Sequence, residues 1–309
     1  MEFELIDQLK SWLKPDARVN LGIGDDCALL PQTDGTESVV TTDLLLDGVH
    51  FRTGINPAAD IARKALAVNV SDIAAMAAIP VAAFISIVFP RSWSRQQAEE
   101  LLQALADSAR EFQIAIAGGD TNTWSGGLAI NVTLYGQVPK GKAVRRDGAQ
   151  PGDAICVTGP LGGSFAEKQF RFTPRVQEAI WLRENADLHA LIDLSDGISS
   201  DLGHILRASG VGAELDAELI PIAPAAQVGE SDRTPLERAL SDGEDFELLF
   251  TLPPDDVERL RKIPEAPVTI FPIGRIIPGQ GCVLLDAAGK RTECIASGFV
   301  HGFDASGQN

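Results

Sequence analysis

The sequence is poor in the side chains that do chemistry unaided. It holds four His, four Cys, one Tyr and two Met in 309 residues, and no His stands in a visible pairing with a nucleophile. Cys27, Cys156, Cys282 and Cys294 show no C-x-x-C spacing, which argues against a thiolate metal site or a disulfide framework. The first three sit among apolar residues and read as buried thiols in strands. Positive charge is scarce too: 26 Lys and Arg against 43 Asp and Glu give a net charge of −17. That balance disfavours nucleic acid or an anionic membrane as main partner. It leaves a nucleotide open, because bound Mg²⁺ inverts the local charge.

Familiar phosphate-binding signatures are also missing. No G-x-x-x-x-G-K-[ST] occurs, the Gly22-Ile23-Gly24 segment lacks the third Gly of a dinucleotide fingerprint, and neither H-R-D nor D-F-G is present. Gly159-Pro160-Leu161-Gly162-Gly163-Ser164 fits either a phosphate cradle or a plain turn into a helix. The first residues, Met1-Glu2-Phe3-Glu4, lack the basic and apolar regions of a signal peptide, so a cytoplasmic protein is expected. One long run, Ile73 to Pro90, carries no charge. Its character changes at Pro80, from Ala and Met to β-branched and aromatic residues. A helix ending near Ile79 and a buried strand from Val81 explain it better than a membrane span.

What the chain does have is aspartate in short polar patches: Gly24-Asp25-Asp26, Thr41-Thr42-Asp43, Ser71-Asp72, Gly118-Gly119-Asp120 and Asp193-Leu194-Ser195-Asp196-Gly197. Most follow an apolar run. Alone, each Asp reads as a helix cap or turn residue. Together they read differently. Asp72 lies deep in an apolar stretch, and Asp43 and Asp120 end apolar strands, where an uncompensated charge is costly. Converged carboxylates raise one another's pKa and repel, and a divalent cation relieves that cost. An all-oxygen donor set suits Mg²⁺ shared with substrate phosphates. The sequence thus reads as a metal-dependent enzyme acting on phosphates, with Arg145-Arg146 as candidate phosphate contact.

The 45% hydrophobic and 22% charged content is that of a folded chain, and the length suggests about two domains. Strands are expected at Val39–Thr42, Phe84–Phe89, Ile114–Ala117, Leu128–Val138, Ala154–Thr158, Phe246–Thr251, Thr269–Ile273 and Cys282–Leu285. A helix opens at Asn56-Pro57, with Asn56 as cap. Another opens at Ser94, with Gln97 completing a capping box. Further helices are expected at Arg175–Asn185, Ser199–Ala208 and Pro254–Lys262. Pro139 to Asp153 is rich in Gly, Pro and charge. The expectation is an α/β (α+β) protein of two domains, residues 1–140 and 141–309.

Six blocks, in order, resemble the thiamine-monophosphate kinases of the aminoimidazole-ribonucleotide-synthetase-like superfamily. They are Gly22–Ala28, Thr41–Asp43 with His50-Phe51, Lys64–Met76, Gly118–Thr121, Ile192–Gly197 with Ser200–His204, and Gly243–Leu248. The resemblance implies a sheet-and-helix N-terminal domain that dimerises through its sheet, and a C-terminal α/β domain. It implies transfer of a phosphoryl group from ATP to thiamine phosphate, the last step of thiamine diphosphate synthesis, with several Mg²⁺ ions. Asp26, Thr41, Thr42, Asp43, Asp72, Asp120, Asp193 and Asp196 are the implied metal shell. Gly119, Asp120, Arg146 and Ser195 are the implied ATP contacts, and His50, Glu244 and Phe299 the implied contacts to thiamine phosphate. A phosphate acceptor is already anionic, so no general base is assigned. Sister enzymes of the superfamily and a non-catalytic Mg²⁺- or nucleotide-binding module are the alternatives.

Overall fold

In a computed structural model of the chain, residues 19–294 are described, apart from 22–23, 33–34, 167 and 229–231. The first sheet has five strands: β1 (Ala28–Pro31), β2 (Thr36–Leu46), β3 (Ile79–Pro90), β4 (Ala115–Trp124) and β5 (Ala129–Pro139), in the order β1-β2-β5-β3-β4. Only the β3–β4 pair is parallel. Helices α1 (Ala58–Ala75) and α2 (Arg95–Glu111) provide its connections, and α1 is buried along nearly its whole length. On β2 the residues alternate. Val39 and Thr41 are buried beneath α1, while Thr42, Leu44 and Leu46 are exposed on the other face.

The second sheet has seven strands: β6 (Ala154–Val157), β7 (Ala190–Asp193), β8 (Gly212–Asp216), β9 (Leu248–Leu252), β10 (Phe271–Ile277), β11 (Gly281–Leu285) and β12 (Arg291–Glu293), in the order β12-β11-β8-β10-β6-β9-β7. With it come the one-turn α3 (Lys168–Arg171), α4 (Val176–Asn185), α5 (Ile198–Ser209), α6 (Pro235–Ser241) and α7 (Pro254–Leu260). Strands β6 and β9 and the edge strand β7 are buried at every residue, as expected of strands covered on both faces. The fold is therefore mixed α/β with two sheets. Helix α1 packs against its own sheet and also against α3, α4 and β7 of the second half.

Several sequence expectations need correction. Helix α1 stops at Ala75, because Ala77 turns left-handed (φ 51°) and the chain is already extended at Ile79. Ala and Met are good helix formers, and only the turn itself ends the helix. Asn56 does not cap α1: Pro57 occupies the cap position, and the Asn56 Oδ1 accepts from the Arg52 N–H at 2.7 Å. The Ser94–Gln97 capping box is present as expected. For strands β1, β7, β8 and β12 and helices α3 and α6 the sequence gives no expectation. Among the described residues no helix is long and apolar enough to cross a membrane.

Candidate active site

The site forms where β2, α1, β7 and the segment before β1 meet. Oxygens of Asp26, Asp72 and Asp193 lie within 4.8 Å of one another. Asp43 lines the same cleft as Asp72. Each acid arrives by its element's periodicity. Asp43 shares the inward face of β2 with Thr41, and Asp193 is the last residue of β7. Asp72 lies on the last full turn of α1. Short hydroxyl bonds fix the carboxylates: Thr41 Oγ1 donates to Asp72 at 2.5 Å, and Ser71 Oγ to Asp193 at 2.6 Å. Arg146 forks onto Asp26 through Nε at 2.9 Å and Nη2 at 2.6 Å, and its backbone N–H donates to Asp25.

The electrostatics are those of crowded, dry carboxylates. Burial, with the Asp26 charge second, pushes Asp193 up to about 8 and Asp43 up to about 6. Burial followed by Asp26 also pushes Asp25 up to about 6. Burial, with Asp43 and Asp193 next, raises Asp72 well above the usual range. Among the described residues no Lys or Arg lies within ion-pair distance of Asp43, Asp72 or Asp193. Hard oxygens at this spacing, short of positive charge, fit Mg²⁺.

The cleft beside the cage holds about 250 Å³. Ser195 and Asp196 line it together with Asp43 and Asp72, and His50, Lys64, Glu244 and Phe246 line it as well. Asp196 precedes α5, where Gly197 (φ 98°) turns so close to α6 that a Cβ would lie 2.8 Å from the Leu240 carbonyl oxygen. Glu244 enters from a loop in which Glu244 (φ 55°) and Phe246 (φ 48°) are left-handed despite bearing side chains, a conformation that persists only where surroundings hold it. Backbone bonds from Glu244 N–H to the Ser195 carbonyl and from Phe246 N–H to the Leu194 carbonyl do so. His50 Nδ1 accepts from the Leu46 N–H at 3.0 Å, which turns the other ring edge away from β2.

Not every expected residue gathers here. Thr42 points to the opposite face of β2, where its hydroxyl meets that of Thr133 at 3.1 Å. Gly119 and Asp120 lie on the edge strand β4, exposed. Asp120 is in register with Ser86, Asn131 and Leu44, three strands across and roughly 14 Å from β2 at the usual spacing. Within one chain it does not reach the cage. Phe299 lies outside the described residues. The Gly159–Ser164 turn is not a phosphate cradle: the Gly162 and Gly163 N–H groups donate to Asp245 and Asp242, and Ser164 to Asp245. Residues without a sequence assignment also converge, namely Asp25, Asp201, whose carboxylate accepts from the Asp196 N–H at 3.1 Å, and Lys64. Lys64 had a visible signal: with Arg63 it is one of two adjacent cations in the otherwise largely apolar body of α1.

Residues 24–138 match the AIR synthase related protein N-terminal domain, and residues 150–286 the corresponding C-terminal domain. The thiamine-monophosphate kinase of Rhodopirellula baltica is 39% identical over 98% of each chain. Among solved structures, AaThiL complexed with AMPPCP and TMP superposes with a TM-score of 0.83 at 28% identity, over 97% of each chain. The thiamine-monophosphate kinase of Stenotrophomonas maltophilia superposes at 0.75 with 37% identity, over 94% of this chain and 98% of that one. The chain belongs to the AIR-synthase-related family and, within it, to the thiamine-monophosphate kinases.

Proposed function

We propose that the protein transfers the terminal phosphoryl group of ATP to thiamine phosphate, giving thiamine diphosphate and ADP, with Mg²⁺ held by Asp26, Asp43, Asp72 and Asp193. The observation that carries this reading is the set of converged carboxylates with a single guanidinium among them, opening into a cleft also lined by His50 and Glu244. The named relatives and the AMPPCP-bound neighbour support ATP as co-substrate. When bound, Mg²⁺ supplies charge neutralisation between two phosphates that would otherwise repel. The chain's own part is alignment. Thr41 and Ser71 hold two carboxylates in place, and Arg146 offers a guanidinium beside the cage. Glu244 and His50 mark the end of the cleft for the thiamine rings. No side chain needs to take a proton, since the acceptor oxygen is already anionic.

The same reading includes a cytoplasmic enzyme with units at residues 1–140 and 141–309, completing thiamine diphosphate synthesis as a homodimer. The open face of the first sheet supports the dimer: Leu44, Ile79 and Phe84 are each about half exposed there (54%, 52% and 49%), an apolar surface that calls for cover. Asp120 is on this face, so its place in the metal shell, and Gly119's at the nucleotide, require a second copy. Turnover tests the reading. Purified protein with ATP and Mg²⁺ should convert thiamine phosphate and leave thiamine untouched, and EDTA should abolish the reaction. Phosphorylation of thiamine at a comparable rate would reveal a base and overturn the mechanism.

A further inference from the structure

Lys64 is 1% exposed, on the helix that supplies Asp72. An ammonium has three donors, and all three are used within the chain: the His50 carbonyl at 2.8 Å, Gln169 Oε1 at 2.8 Å and Glu244 Oε2 at 2.6 Å. The side chain lines the cleft yet keeps no N–H for a ligand. Its role must therefore run through the groups it holds. Those groups come from the loop after β2, from α3 and from the left-handed loop before β9, so one cation joins the two halves of the molecule. Neighbouring contacts act in the same sense. Arg63 Nη1 donates to the carbonyls of Phe170 and Phe172, and Phe172 stacks on Phe246 with ring centroids 4.0 Å apart.

Position along the helix gives the pairing its meaning. Lys64, Val68 and Asp72 recur every four residues and line one cleft, so Lys64 and Asp72 are separated by roughly 12 Å along the axis at 1.5 Å per residue. The acid cage is at one end of that stripe and the Lys64–Glu244 pair at the other. Burial lowers Lys64 and raises Glu244, and each charge opposes the shift of the other. Removing one partner would strand the other without compensation.

We infer that Lys64 is a positioning residue that fixes the Glu244 carboxylate and the His50 loop before any ligand arrives, so that the thiamine end of the cleft is formed in the free enzyme. The inference rests on the proposed reading of this cleft.

The test uses the full-length protein with Lys64→Gln, which keeps a donor and removes the charge, alongside Lys64→Met and Glu244→Gln. Lys64→Gln should raise KM for thiamine phosphate about tenfold, the size of one charge-assisted hydrogen bond, and leave KM for ATP within about twofold. Without ligand, hydrogen exchange of the 243–247 backbone should quicken. The double variant Lys64→Gln/Glu244→Gln should be no worse than the poorer single variant by more than about twofold, because both changes break one unit. Equal rises in both KM values with a lowered unfolding midpoint would show a merely structural lysine and overturn the inference. So would unchanged exchange in 243–247. Should wild-type protein fail to turn over thiamine phosphate, the proposed function falls, and the exchange measurement still decides the role of Lys64.

Discussion

Two groups of buried acids lie in this molecule, and their surroundings differ. In the second half, Glu247 is forked by Arg175 at 2.8 and 2.9 Å and bonded by Lys168 at 2.9 Å and by the Thr158 hydroxyl. Asp242 pairs with Arg233 and Arg238, and Asp245 takes the N–H of Gly162. The paired cations and hydrogen bonds hold the Glu247 carboxyl below its ordinary value despite the opposing effect of burial. In the cage, Asp72 and Asp193 each take one hydroxyl bond, neither they nor Asp43 forms an ion pair among the described residues, and all three are shifted upward. Asp193, Asp242, Asp245 and Glu247 are buried and Asp43 and Asp72 half-buried, and burial raises Asp245 too, to about 6. What separates them is whether the chain supplies the counter-charge. Where it does, the acids hold the fold together. Where it does not, the charge is left for something that binds.

The largest contrast should come from neutralising one acid of each group. Asp193→Asn should lower kcat by on the order of 10²–10³-fold, with an unfolding free energy that holds or rises as like-charge repulsion is relieved. Glu247→Ala should do the reverse. It strands Arg175 and Lys168 and should cost about 3 kcal/mol of stability in urea unfolding, with kcat of the folded fraction near wild type. Loss of stability without loss of turnover in Asp193→Asn would erase the distinction.

A smaller effect is expected at Arg146, the cation the cage does have. Its guanidinium spends Nε and Nη2 on Asp26, so only part of it can face a nucleotide. Arg146→Ala should weaken ATP binding about tenfold, the scale of a charge-assisted bond, and spare thiamine phosphate. Calorimetric titration of each ligand separates the two. Weakening confined to thiamine phosphate would move Arg146 to the other end of the cleft.

The contrast also explains what the sequence could reveal. Asp72 inside an apolar helix and Asp43 at a strand end are expensive places for charge, and that expense is readable from neighbours alone. Compensation is not. The carboxylates of Asp242, Asp245 and Glu247 find Arg233, Lys168, Arg175 and the 162–163 turn at separations of 9 to more than 80 residues. Only the sheet order places most of these together, so the Gly159–Ser164 pattern is ambiguous in sequence and is decided by Asp242 and Asp245, which occupy its N–H groups. Thr42 and Asp120 show the same limit from the other side. Their residue types and spacing match the acid patches, yet pleat parity puts Thr42 on the open face and strand order carries Asp120 to the far edge. Helix α1 ends a few residues before the expected Ile79 because the left-handed turn at Ala77 has no signature in an Ala-rich stretch.

The cage holds one guanidinium, that of Arg146 on Asp26, against four carboxylates, and the proposed function assigns the missing counter-charge to Mg²⁺. Asp193 titrates near 8 in the folded chain, against about 3.8 for the ordinary group. The folded state therefore binds more protons than the unfolded one across that window, and stability must fall as pH rises through it. The direct measurement is the urea midpoint at pH 5 and pH 8, with and without Mg²⁺ and with no nucleotide present, for wild type and for Asp72→Asn/Asp193→Asn. The account predicts a wild-type midpoint that drops toward pH 8 and is restored by Mg²⁺; in the double variant the drop shrinks to what the raised Asp25, Asp43 and Asp245 carboxyls leave, and Mg²⁺ restores little of it. A Mg²⁺ response of equal size in the double variant, or none in wild type at pH 8, would contradict it.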